Sequence, residues 1–186
     1  MLRKATQVLE EEHRVIQGMA ASLAIVAEDI EKRKPVDGET LHNFVTFLDV
    51  FVQRCHHRKE ETYLFAILEK KGVPTEGCPL AVLNNEHAKL RSLSSQFADS
   101  VELYTATQGQ ARVSLQKTIH ALLELLPGHI WKEDYLLFPM ADKLLSPEEQ
   151  ELLLTQFENV EARIGPNIHH DFERLAKRME VTAQHP

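Results

Sequence analysis

Residues 39–70 read ETLHNFVTFLDVFVQRCHHRKEETYLFAILEK. Leu41, Val45, Leu48 and Val52 recur at steps of three and four, the spacing that stacks side chains on one face of a helix. His56 and Glu60 take the next two places in that series before Leu64 and Ile67 resume it. The period predicts one long amphipathic helix in which two polar residues stand at core positions. Further along, His129-Ile130-Trp131-Lys132-Glu133-Asp134-Tyr135-Leu136-Leu137-Phe138 repeats His56-His57-Arg58-Lys59-Glu60-Glu61-Thr62-Tyr63-Leu64-Phe65 without a gap. An echo of this kind predicts a pseudo-symmetric pair of helices.

Working outward, three more segments carry the same period. Roughly 4–33 holds Leu9, His13, Ile16, Ala20, Leu23, Ala27 and Ile30 in one series. Roughly 79–107 runs Leu80, Leu83, His87, Leu90, Ser94, Phe97, Val101 and Tyr104, and roughly 110–145 runs Leu115, Ile119, Leu122, Leu126, His129, Glu133, Leu136, Met140 and Leu144. Lys34-Pro35-Val36-Asp37-Gly38 and the Gly/Pro-rich stretch 72–79 separate them. Four such segments on short loops predict an all-α, up-down-up-down four-helix bundle over 1–145. Pro127-Gly128 should kink the fourth helix rather than end it, since the stripe continues across it. Ser146-Pro147 opens a fifth helix to about 163, and 167–180 reads as a short terminal one. Residues 146–186 are thus expected to form a helical extension packed on the bundle.

Composition narrows the function. The 186 residues are 43% hydrophobic and 26% charged, with few Gly and Pro, as in a helical globular protein. A net charge of −7 argues against general nucleic-acid binding, which needs a basic face. Neither a leader-like apolar stretch nor a membrane-length run appears, and Cys55 and Cys78 lack the number or spacing of a disulfide framework. A cytoplasmic protein is the expectation.

The informative residues are polar ones in the apolar stripes, because a buried unpaired His or Glu is costly. Every stripe is broken: by His13, by His56 with Glu60, by His87, and by His129 with Glu133. Each His–Glu pair is spaced i, i+4, about 5–6 Å apart at Cβ on one face. At 1.5 Å per residue, with antiparallel neighbours, the six residues fall roughly 12–24 Å from one end and form a single layer. Four imidazoles and two carboxylates exceed one tetrahedral zinc and suit two first-row metals, bridged by the carboxylates and an oxo or hydroxo group. Mixed N/O ligation favours iron, with manganese or zinc as substitutes, and residual positive charge welcomes an anion such as peroxide. His57 and Glu61 form a parallel pair one residue on that points away from the stripe, so they are read as flanking or solvated, with ligation by one of them left open. Glu10-Glu11-Glu12 reads as a solvated acidic face, and Cys55 as a buried small apolar residue. Tyr63 and Tyr135 stand near the ligand turns.

The residues Glu12-His13-Arg14, Cys55 to Glu61 with Leu64-Phe65, Asn85-Glu86-His87, and His129 to Asp134 with Leu137-Phe138-Pro139 resemble the hemerythrin-like, HHE cation-binding family over about 5–145. That resemblance implies a four-helix bundle around a non-haem di-iron site that binds dioxygen, nitric oxide or peroxide, with His13, His56, Glu60, His87, His129 and Glu133 as ligands. It equally allows a sensor of iron, oxygen or nitric oxide whose C-terminal helices signal to a protein partner. Oxygen-carrying members have a second His one turn after the third-helix ligand, where this chain has Arg91. Asp134 stands at the spacing of their final Asp.

Overall fold

The computed structural model describes residues 3–76, 79–107, 109–165, 167 and 170–177. These are helical almost throughout, with no strand among the described residues. The first helix is Ala5–Glu31. The second is a continuous rod that starts as Gly38–Thr46, capped by the Asp37 side chain on the Thr40 N–H, and ends as Phe65–Lys70. The third is Pro79–Ala106. The fourth runs through Arg112–Lys132 with Pro127 inside it, then Glu133–Leu137 and Phe138–Leu144. Ser146 caps the fifth helix, Pro147–Ile164, in a reciprocal bond pair with Glu149. Residues 170–177 are helical and Asn167 is in a turn; residues 168–169 and 178–180 of the expected terminal helix, like Cys78, lie outside the described residues.

Two apolar cores stack along the bundle. One holds Ile16, Phe51, Val52, Leu90, Phe97, Leu126 and Ile130 among others, and the second holds Leu9, Leu64, Phe65, Leu83, Leu137 and Phe138. The first helix passes from the second core at Leu9 to the first core at Ile16, with His13 between. The second helix passes the opposite way, from Val52 to Leu64, with His56 and Glu60 between. The third repeats the direction of the first across His87, from Leu83 to Leu90. The fourth repeats the second, from Leu126 to Leu137 across His129 and Glu133. This alternation is the up-down-up-down order, and it puts the polar residues in one layer between two dry blocks.

The period of the second and fourth helices is not uniform. Phe47–His57, Glu60–Leu64 and Glu133–Leu137 are π-helical, with the Phe65 N–H bonded to the Glu60 carbonyl and the Phe138 N–H to that of Glu133. A π turn takes in one extra residue, so the buried stripe slips by one beyond it. The expected core positions Leu136 and Leu144 are exposed, and Leu137, Phe138 and Ala141 are buried in their place. In the second helix Phe65 and Leu68 are buried and Ile67 is only partly so. The two π turns after Glu60 and Glu133 make the echo a structural one.

The fifth helix lies against the first helix and the second. Leu153 and Phe157 complete the second core, and Phe172 and Ala176 close the first, with Phe172 edge-on to Phe47 and Phe51.

Candidate metal centre

All six residues marked out by sequence meet in the polar layer, each at most 1% exposed. His13, His56, Glu60 and Glu133 converge as one group of possible ligands, and His57, His87 and His129 as another. Glu133 reaches both, at 3.2 Å from His13 Nε2, 3.3 Å from His129 Nε2 and 3.4 Å from His87 Nε2. Glu60 also spans them, 3.6 Å from His56 Nε2 and 3.4 Å from His87 Nε2. The two carboxylates thus lie between the two groups of imidazoles.

His57 corrects the sequence expectation. It does not flank the layer but enters it, 2% exposed, with its ring stacked 3.8 Å from that of His87. The π turns ending at His57 bring consecutive side chains closer in direction around the axis, so His56 and His57 both face inward. Arg91 on the third helix is turned out to bond Glu61 at 2.6 Å.

Each imidazole is aimed from behind. The Nδ1 atoms of His13, His56, His87 and His129 bond Asp134 (2.6 Å), Glu12 (3.0 Å), Glu61 (2.7 Å) and Glu86 (3.1 Å), and that of His57 bonds Gln53 Oε1 (3.1 Å). An Nδ1–H held this way fixes the tautomer and leaves the other nitrogen for a metal. The four acids form a closed cycle. Glu12 on the first helix serves the second, Glu61 on the second serves the third, Glu86 on the third serves the fourth, and Asp134 on the fourth serves the first. Each adjoins a ligand of its own helix and supports one on the next. Glu12 is therefore no part of a solvated acidic face: it is 1% exposed and also bonded by Lys59. Glu61 and Asp134 touch imidazoles rather than the layer's centre.

The donor set fits metal ions. His13 Nε2 and all four carboxylate oxygens of Glu60 and Glu133 are buried without a hydrogen bond among the described residues, a costly arrangement unless cations take them. Electrostatics point the same way. Burial opposes ionisation of Glu133, yet His129, His13 and His87 hold its carboxyl well below the usual range. Burial likewise opposes charge on His13 and His87, but Asp134 with Glu133 raises His13 to about 10, and Glu133, Glu60 and Glu61 raise His87 to about 11. Burial, with His87 and His56 nearby, keeps His57 neutral, and burial lowers His129. Cys55 is buried, and desolvation lifts its thiol to about 12, which makes it packing rather than a thiolate ligand.

A pH dependence follows. A raised imidazole pKa stabilises the metal-free fold fully below about 6.5, and that contribution is lost as pH climbs through about 10–11. Metal must displace those protons, so ion uptake releases acid and apparent affinity rises with pH throughout the range below about 10. Calorimetry of ferrous iron binding in buffers of different ionisation enthalpy reads the protons; uptake with none released would contradict the expectation.

A family model described as the hemerythrin HHE cation-binding domain matches residues 4–141. The chain belongs to the hemerythrin HHE family. Among curated relatives it is 26% identical over 162 residues to uncharacterized proteins of Mycobacterium tuberculosis (strain H37Rv) and Mycobacterium bovis, covering 86% of this chain and 62% of theirs. The hemerythrin-like chain thus spans about three fifths of the length of those relatives. No solved structure matches it. Among its described residues no helix is long and apolar enough to cross a membrane.

Proposed function

We propose that this hemerythrin-like chain binds two iron ions, and through them a small ligand such as dioxygen, peroxide or nitric oxide. His13 and His56 would hold one ion and His57, His87 and His129 the other, with Glu60 and Glu133 shared. The observation that carries the reading is the set of seven buried donors in two groups, joined by carboxylates whose oxygens make no hydrogen bond among the described residues. When bound, paired iron supplies a change of oxidation state and an open position for a small molecule. The His13–His56 side, with two imidazoles against three, is where that position falls.

The surroundings suit such a ligand. Phe138 stacks on His13 at 5.4 Å and Phe65 on His87 at 5.6 Å, and these rings keep water from the layer. A cavity of about 760 Å3 between the first and fourth helices has His13 and Asp134 in its wall, beside Ala20, Leu126, Trp131 and Tyr135. Tyr135, 66% exposed, stands at its surface rather than in the core. A small ligand approaching here meets the side with fewer imidazoles.

Elemental analysis of protein purified without added metal or chelator is the test. Two irons per chain, with an absorption spectrum that changes on adding dioxygen, nitric oxide or peroxide, is the expected result. One zinc, or no metal, overturns it.

A further inference from the structure

Behind His56 the polar layer continues outward through three more groups. One oxygen of Glu12 takes the His56 Nδ1–H at 3.0 Å, and the other is bonded by the ammonium of Lys59. Lys59 Nζ also lies 2.6 Å from Glu161 Oε1 on the fifth helix and 5.7 Å from the centre of the Phe157 ring. Lys59 is 0% exposed, sealed under that helix.

The echo in the sequence supplies an internal comparison. Lys132 aligns with Lys59, and it bonds Glu86 (2.7 Å), which in turn supports His129. The two arms are thus the same His–Glu–Lys relay. They differ at the outer end. Lys132 is 32% exposed and finishes on the carbonyl of its own Gly128 at 3.0 Å, within reach of water. Lys59 finishes on a carboxylate from a helix outside the four-helix bundle.

We propose that Lys59 and Glu161 are positioning residues for the metal on the His13–His56 side, so that the fifth helix sets how firmly that ion is held. Glu161 fixes the ammonium of Lys59, and the ammonium fixes the second oxygen of Glu12. Glu12, tied at both oxygens, then fixes the plane of the His56 ring and keeps its Nε2 aimed into the layer. In the Lys132 arm, water replaces a lost partner at little cost. In the Lys59 arm Glu161 keeps about a third of its side chain in solvent, as Lys132 does, but the ammonium it holds is 0% exposed, so a partner lost by Lys59 is not replaced by water. This inference rests on the reading that the layer holds two metals.

The test uses the full chain loaded with ferrous iron in the absence of oxygen, and follows iron release into an excess of a chromophoric chelator. Lys59→Met should speed the loss of one of the two irons by about tenfold, the lower end for a group supporting a metal ligand, and Glu161→Gln by about threefold. Lys132→Met should change neither rate by more than about twofold, since solvent can stand in. His57→Ala identifies the other ion, because it removes a ligand of the second group. Melting of the metal-free variants, measured in parallel, separates positioning from plain packing. A Glu161→Gln chain that melts like wild type but releases both irons unchanged, or both equally faster, overturns the proposal. It does so even where Lys59→Met fails to fold. Wild-type protein that loads fewer than two irons overturns the underlying metal reading, and that is seen before any variant is compared.

Discussion

Glu133→Ala should empty both of the proposed metal positions together. Among the described residues Glu133 is the one side chain within 3.4 Å of imidazoles from both groups, at His13, His87 and His129 on the first, third and fourth helices. Its removal takes an anionic ligand from each ion and leaves His13 and His87 short of the charge that draws protons or cations to them. Metal content per chain should fall to near zero, whereas His57→Ala, which strips one donor from the second group, should leave one ion bound. Elemental analysis after gel filtration reads both. His120→Ala, at an exposed residue paired with Glu31, is the control and should retain full content. Full occupancy in the Glu133 variant would remove the basis of the ligand assignment.

Stripping the metal should cost the fold heavily. A ligand present at a thousand times its dissociation constant stabilises the native state by about 4 kcal/mol, worth roughly 10 °C in melting temperature for a chain of this size. Two ions held at that level contribute about 8 kcal/mol together and should separate loaded and chelated protein by about 20 °C. The physical reason is local: the apolar cores on either side of the layer stay packed, while five buried donor atoms between them go without hydrogen bonds. Differential scanning calorimetry with and without chelator measures the gap. Chelator should leave the melting of Glu133→Ala unchanged, and an equal drop in that variant would trace the loss to something other than this layer.

Much of this architecture was legible in the sequence because its signals are periodic. Four apolar stripes, each broken once at a matching height, gave both the bundle and the six residues of the layer. His57 escaped because a uniform helical period turns the residue after His56 away from the core, and the π turns that bring it back leave no mark in a hydrophobic pattern. The π turn Glu133–Leu137 of the fourth helix likewise moved burial from Leu136 to Leu137. One signal did exist. In the internal repeat His57 aligns with Ile130, an apolar residue, which is 3% exposed in the fold. Glu12 was hidden differently, inside an acidic run that looks solvated. Its role shows only when Glu12, Glu61, Glu86 and Asp134 are seen together as four acids each adjoining a ligand. Lys59 and Glu161, 102 residues apart, could be joined only by the fold.

The cycle of supporting acids makes the centre a witness to completed assembly. No helix orients one of its own imidazoles through an Nδ1 carboxylate, so a partly docked chain would present His13, His56, His87 and His129 with rings free to turn, His57 alone being held by Gln53 of its own helix. Tight metal capture then waits until all four helices have closed around the layer. An ion arriving early finds scattered side chains, and one arriving late finds a finished cage.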